Sequence, residues 1–240
     1  MAAAYNRGTD TLETGATMTT EFHPPVEEYL QTIQCLAETG TPVIQARLAE
    51  RMGKSAPAVS EMLDRLAADG YLERSGRRIV LTESGRVIAD SVLRKHRLAE
   101  RLLVDVIGLP WHKAHNEAGR WEHVMSDDVE TRLIDLLGDP ATCPHGNPIP
   151  GSNNPPSDPA AQTSLANVPP GERVRLERVT EDLELDLAWL RYLDEGGFIP
   201  GSSGLVQDRT PDGAVVLDVD GHTLALGPEV CRQLFVAVGT

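Results

Sequence analysis

Residues 43–82 read VIQARLAERMGKSAPAVSEMLDRLAADGYLERSGRRIVLT. The hydrophobic period changes twice within this stretch. Val43–Met52 has the spacing of a short helix, and Gly53 supplies a tight turn. Ser55 is placed to cap a second helix, and Pro57 is tolerated in its first turn. Val59, Leu63 and Leu66 fall on one face of that helix, and Gly70 closes it. Tyr71–Thr82 then alternates with a period of two, so it is expected to form a two-stranded hairpin. Arg74, Arg77 and Arg78 lie near its Ser-Gly tip. Helix, turn, helix and basic hairpin together make the layout of a winged helix-turn-helix, a DNA-reading module.

Working outward, Pro24 to Gly40 has a helical pattern: Val26, Tyr29, Leu30, Ile33, Leu36 and Ala37 share one face. Residues 1–22 are small and polar without a period. They are expected to be a disordered arm, and Met18 is a candidate for the true start. Downstream, Thr82 caps a long helix running to about Ile107. Pro110 opens a second, Trp111–Met125, and Ser126 caps a third that reaches Leu137. The stretch Pro140–Ser164 breaks all periodicity, and its Pro, Asn, Ser and Gly content marks a linker. From about Val168 the pattern is strand-like, in RVRLERV, SGLVQDR, AVVLDV and HTLALG, with one helical piece at Asp182–Leu193. That pattern predicts a small β-barrel.

The chain of 240 residues is 40% hydrophobic, enough for cores in several domains. Its net charge of −14 at first argues against nucleic acid. The charge is uneven, however. Between Pro42 and Arg101 there are 12 Lys/Arg and 8 Asp/Glu, a local +4 that leaves −18 elsewhere. Phosphate contacts are local, so a mildly basic module inside an acidic chain can bind DNA. The acidic remainder suits cations. There is no apolar run of bilayer length and no basic-then-apolar leader, which predicts a cytoplasmic protein with no membrane partner. Cys35, Cys143 and Cys231 are scattered without a CxxC pair and fit reduced thiols.

The helices of the middle region carry the chemistry. His96 and Glu100 are four apart and share a face. If neighbouring helices pack side by side, His115 can join them. Two imidazoles and a carboxylate make half of a divalent transition-metal shell. Glu122 and His123 lie one to two turns beyond His115. They are expected to form a second site rather than join the first, with Glu27, Glu28 and Gln31 of the first helix as candidate partners. The plain alternative is that such His/Glu pairs are solvated faces or structural hydrogen bonds. There is no HExxH, Cys-based zinc pattern, Walker loop, GxGxxG or GxSxG, so nothing points to an enzyme.

Taken jointly, RKHRLAERLL (94–103), HNEAGRWEHVMSDDVETRL (115–133) and HGNPIPG (145–151), downstream of a winged helix-turn-helix, are more specific than their parts. The combination resembles the diphtheria-toxin-repressor family of metal-dependent transcriptional regulators, whose members include iron- and manganese-dependent proteins. The resemblance runs from about Glu21 to the C-terminus. It implies a mainly α fold with a smaller β part: a winged helix-turn-helix (23–82), a helical metal-binding and dimerisation domain (83–150), a linker (151–167) and a C-terminal SH3-like barrel (168–240). It also implies a homodimer on double-stranded operator DNA, acting as a metal-activated repressor with two metal sites per subunit.

Carried over by motif, one site comprises His96, Glu100 and His115, with Glu181 and Glu184 from the third domain. The other maps to Glu28, Gly119, Glu122 and His123. Iron-type members have Met and Cys at the first two of these positions, and manganese-type members have carboxylates. Here Glu28 is a carboxylate, Gly119 has no side chain, and Gln31 sits where some manganese-type members have a further carboxylate. A set of hard oxygens with one imidazole suits Mn²⁺ first and Fe²⁺ next. Gly119 either offers its carbonyl, leaves room for water, or marks a weakened site. The family's DNA contacts map to Ser55, Pro57 and Ser60, with Lys54 close by. Arg47, Arg65, Arg77 and Arg78 are candidates for phosphates. Ala58 and Glu61 replace more usual polar contact residues. Two other classes fit less well: a winged-helix sensor of an organic ligand, for which pocket aromatics are few, and a metalloenzyme, for which no acid/base pair is evident.

Overall fold

The computed structural model describes residues 24–40, 42–154, 156 and 158–239; the expected N-terminal arm and the Met18 start lie outside them. The first domain is built as its pattern predicts. Helix α1 (Pro24–Glu38) packs on α2 (Gln45–Met52), α3 (Ala56–Ala68) and the hairpin β1 (Leu72–Ser75)–β2 (Arg78–Leu81). Gly53 ends α2 in the left-handed region, at φ 61°. The Ser55 hydroxyl caps α3 by accepting from the Ala58 N–H. Leu30, Ile33, Leu48, Val59, Leu63 and Leu66 are fully enclosed in one core. On α1, Cys35 is buried and Ala37 is exposed, so the inward face is rotated slightly from the expected one.

Thr82 caps α4 (Glu83–Arg101) by accepting from the Gly85 N–H. The long helix stops short of Ile107 as an α-helix. Leu102–Val106 widens into a π turn, in which Ile107 donates to the Leu102 carbonyl, and Gly108 at φ 76° leaves the helix. The expected single helix Trp111–Met125 is also broken. It consists of a 3-10 turn (Trp111–Lys113), a short α5 (Ala114–Ala118) and a run of tight turns. From Gly119 onward the hydrogen bonds are mixed: Arg120, Trp121 and Val124 donate to the carbonyl three residues back, and Glu122 and Met125 to the carbonyl four back. Glycine is a poor helix residue, and side-chain ties to α1 and α4 then decide the path. The third helix, α6 (Asp127–Leu137), forms with the Ser126 cap.

The Pro140–Ser164 stretch corrects the linker reading. Thr142 pairs with Pro148, and Cys143, His145, Asn147 and Ile149 are buried. Its end already belongs to the third domain. There β3 (Thr163–Ser164) opens a six-stranded antiparallel sheet, and Leu165 is wholly enclosed. The remaining elements are β4 (Arg173–Val179), α7 (Glu181–Glu184), α8 (Leu187–Glu195), β5 (Ser203–Arg209), β6 (Val215–Val219), β7 (His222–Leu226), α9 (Pro228–Gln233) and β8 (Leu234–Val238). The strand order is β3-β8-β4-β5-β6-β7. The helical piece expected at Asp182–Leu193 divides in two because Asp186 caps α8, accepting from Ala188 and Trp189. The sheet wraps a separate core that also takes in Trp111 of the middle domain.

Several contacts fasten the domains together. Arg51 of α2 reaches Asp182 of α7 at 2.5 Å. His112 reaches Asp194 of α8 at 2.7 Å. Asn147 donates to the Val179 carbonyl at 2.9 Å and to Glu184. Among the described residues no helix is long and apolar enough to cross a membrane.

Gly85 joins the first two domains with no clearance, since a Cβ there would lie 2.0 Å from the Tyr71 carbonyl oxygen. Gly85→Ala is expected to cost about 1–3 kcal/mol through forced backbone displacement, read as a lowered thermal midpoint.

Candidate metal centre

The centre forms where α4, α5 and α7 meet the inner face of α1. A cavity of about 200 Å³ opens there, lined among others by Glu28, Gln31, Cys35, His96, His115, Gly119, Glu122 and Glu181. His96 is buried and uses both ring nitrogens. Its Nδ1 meets Glu122. Its Nε2 lies 3.2 Å from Glu100 Oε1 and 3.1 Å from His115 Nδ1. His115 Nδ1 is also 2.8 Å from Glu184 Oε2 and 3.3 Å from Glu100 Oε1.

The structure therefore brings His96, Glu100, His115 and Glu184 together. It differs from expectation at Glu122, which joins His96 instead of standing apart. Glu122 lies in the turns after α5, and its N–H still donates to the Ala118 carbonyl at 3.1 Å. His123 sits next to it, with Nε2 3.1 Å from Glu122 and Nδ1 2.7 Å from Glu27. Gln31 donates to Glu122 at 3.1 Å. The result is one line of alternating imidazoles and carboxylates, with His96 common to both halves.

Two predicted ligands point elsewhere. Glu181 is held by Arg97, with Nη2 2.7 Å from Oε1. Arg97 is fully buried and also takes Glu38 at 2.8 Å and the Pro148 carbonyl at 2.5 Å. Glu28 pairs with Lys54 at 2.7 Å. Gly119 lines the cavity, and a Cβ there would meet nothing closer than 3.7 Å, so there is room for a side chain.

Sequence reasoning missed His145 and Cys143. His145 is fully buried against the Trp111 ring, with Nδ1 3.3 Å from Glu100 and 3.4 Å from Glu184. Neither contact has hydrogen-bonding geometry, and both ring nitrogens are left unpartnered, as is Glu100 Oε2. Glu100, Cys143 and His145 bring three donor atoms within 4.8 Å of one another, as do His96, Glu100 and His115. The signal was the spacing Cys-Pro-His, hidden by a composition that reads as linker. Buried imidazoles, carboxylates and a thiol with orphaned donor atoms fit a divalent transition metal.

The electrostatics agree. Burial alone would push the Glu122 carboxyl up, but hydrogen bonds from His123 and His96 outweigh it and hold it at about 2. Burial pulls His115 down, yet its bonds to Glu100 and Glu184 raise it to about 9. His123 reaches about 9 through Glu122 and then Glu27. Burial opposes ionisation of Glu181 as well, but Arg97 dominates and leaves it at about 2. Without a cation the carboxylates are thus neutralised by protons on imidazole and by Arg97.

On the DNA side, Ser55 and Pro57 are exposed and Ser60 half-buried at the start of α3. Arg77 and Arg78 are exposed on the wing. Arg65 is exposed near Asp69, at 3.9 Å, and Arg47 donates to the Pro42 carbonyl at 2.6 Å. Arg74 anchors the wing to Asp64 and Gln45.

Two outcomes follow from this geometry. The imidazoles with pKa near 9 stabilise the cation-free fold fully below about pH 6.5 and lose that contribution as pH rises through 9; Glu122 stabilises it above about pH 4.5 and loses that contribution toward 2. With chelator, the thermal midpoint should therefore be highest between about pH 4.5 and 6.5. A metal must displace the imidazole protons, so its affinity should rise about tenfold per pH unit for each proton displaced, until pH 9. Separately, Arg97→Met strands Glu38 and Glu181 and should cost about 3–5 kcal/mol in denaturant unfolding.

Residues 21–80 match the iron-dependent repressor N-terminal DNA-binding domain, 82–151 its metal-binding and dimerisation domain, and 163–238 the FeoA domain. The chain is 45% identical over 211 residues to the iron-dependent repressor IdeR of Mycobacterium tuberculosis, covering 84% of this chain and 91% of that protein. It is 40% identical over 215 residues to the diphtheria toxin repressor of Corynebacterium diphtheriae, covering 87% and 94%. Among solved structures, a manganese-dependent transcriptional repressor in complex with manganese superposes with a TM-score of 0.79 at 32% identity, covering 88% of this chain and 99% of that one. Winged helix-turn-helix, helical dimerisation domain and SH3-like FeoA domain occur in order and over nearly full length, so the chain belongs to the diphtheria-toxin-repressor family of metal-dependent, DNA-binding repressors.

Proposed function

We propose that the protein is a repressor activated by Mn²⁺, which binds operator DNA as a homodimer and controls genes of divalent-metal homeostasis. The observation that carries this reading is the shared position of His96. Its two nitrogens serve one cluster with Glu100, His115 and Glu184 and another with Glu122, His123, Glu27 and Gln31. A cation at either cluster replaces the protons as counter-charge. Glu184 then draws the third domain toward the middle one, and Gln31 and Glu27 draw in α1 of the DNA-binding domain. Glu28 and Glu181 lie on the cavity wall, where a change of partner brings either carboxylate into reach.

The second cluster contains no thiolate or thioether among its paired residues, which favours manganese over softer ions. Iron is the second reading, supported by the relatives above that are named iron-dependent. Cation binding fixes the spacing of two winged helices on successive major grooves. Ser55, Pro57 and Ser60 face bases in this proposal, with Lys54, Arg47, Arg65, Arg77 and Arg78 on phosphates. The exposed apolar residues Val106, Ile107, Val124, Val129 and Leu136 of the middle domain suit burial against a second copy.

The test is an anaerobic titration onto DNA from upstream of metal-transporter genes, with Mn²⁺, Fe²⁺, Zn²⁺ or chelator. Tight binding should require Mn²⁺ or Fe²⁺ and vanish with chelator, and the metal order separates the two readings. His96→Ala should abolish the response, because both clusters lose a member; His123→Ala should weaken it. Binding indifferent to chelator and to both substitutions would sink the proposal.

A further inference from the structure

Lys54 occupies a junction between the cavity and the DNA-reading helix. It immediately precedes Ser55, the cap of α3, and its backbone N–H donates to the Ala49 carbonyl at 3.0 Å, which fixes the turn. Its side chain folds back onto α1. There Nζ lies 2.7 Å from Glu28 Oε2 and 4.9 Å from the centre of the buried Tyr29 ring. Adjacent residues of α1 thus hold one ammonium by charge and by a ring face. Glu28 also lines the cavity beside Gln31, Glu122 and His96. The same carboxylate therefore faces two candidate cations, one covalently part of the recognition turn and the other dissolved.

We propose that Lys54 is an internal competitor for Glu28 that couples cavity occupancy to DNA binding. This rests on the metal-activated reading above. When a divalent ion recruits Glu28, the ammonium loses its counter-charge. It then stands at the entrance of the recognition helix, available to a phosphate. When the cavity holds no ion, Glu28 keeps Lys54 from that role. Linkage makes the effect reciprocal: a phosphate that takes Lys54 frees Glu28, so operator DNA should tighten metal binding by the factor by which metal tightens DNA binding through this pair. The pair is half-exposed, with side-chain accessibilities of 34% and 47%, so the coupling is modest.

The test is calorimetric titration of the full-length protein with Mn²⁺ alone, with no DNA. The variants are Lys54→Met, which keeps the stem on Tyr29, Glu28→Gln, and the double variant. Lys54→Met should bind Mn²⁺ about two- to five-fold more tightly than wild type. That gain should disappear in the Glu28→Gln background, where there is no carboxylate to compete for. On DNA with saturating Mn²⁺, Lys54→Met should bind more weakly, with the salt slope reduced by about one. Unchanged or weaker Mn²⁺ binding by Lys54→Met, with normal binding by wild type, would overturn the competitor role alone. A gain that persists in the Glu28→Gln background would also overturn it, since that is the signature of net charge. If wild type itself takes up no metal, the parent reading fails and this one falls with it.

Discussion

A fully enclosed imidazole with two occupied nitrogens is the constraint on which the rest of this molecule depends. His96 sits mid-helix in α4 with carboxylates on both sides of its ring. Burying ionised groups is costly, and it is tolerated here because each charge has a partner of opposite sign. The next residue, Arg97, points elsewhere around the helix and does the same for Glu38 and Glu181. Two consecutive residues of one helix thus bind three elements: α1 through Glu38, the turns after α5 through Glu122, and α7 through Glu181 and, by way of His115, Glu184. The three domains meet at α4 because most partners of its buried polar groups come from outside it.

This arrangement explains why the helical segments nearby are irregular. The π turn after Arg101 and the tightened turns after Ala118 are poor helices by local criteria. Both flank the buried cluster. The side-chain pairings in a low-dielectric pocket outweigh the small backbone penalty.

Much of the fold was legible where the signal is local. Ser55, Thr82 and Ser126 each precede a periodic run and each caps a helix. The turn at Gly53 and the hairpin after Gly70 were readable for the same reason. His96, Glu100 and His115 could be grouped because helix spacing puts two on one face and a short connection returns the third. What escaped was long-range. Asn147 reaches Val179 and Glu184, more than thirty residues away, and nothing in Pro140–Ser164 announces it. The capture of Glu181 by Arg97 has no sequence signature either, since the two are 84 positions apart. The break after Ala118 was hidden because one glycine costs a helix only about 1 kcal/mol.

The loop at residues 142–149 has a role that its irregularity conceals. Gly146 adopts φ 87° with its Cα pressed to the Glu177 carbonyl, and Val179 donates to the His145 carbonyl at 2.9 Å. The third domain is therefore not a module swinging on a string. Its acidic turn is presented to the middle domain at a fixed place, as an intramolecular reactant with a high effective concentration. Any ligand completed by Glu184 gains affinity from that tether without an added contact. Slackening the loop would dilute the carboxylate while leaving every residue of the site unchanged.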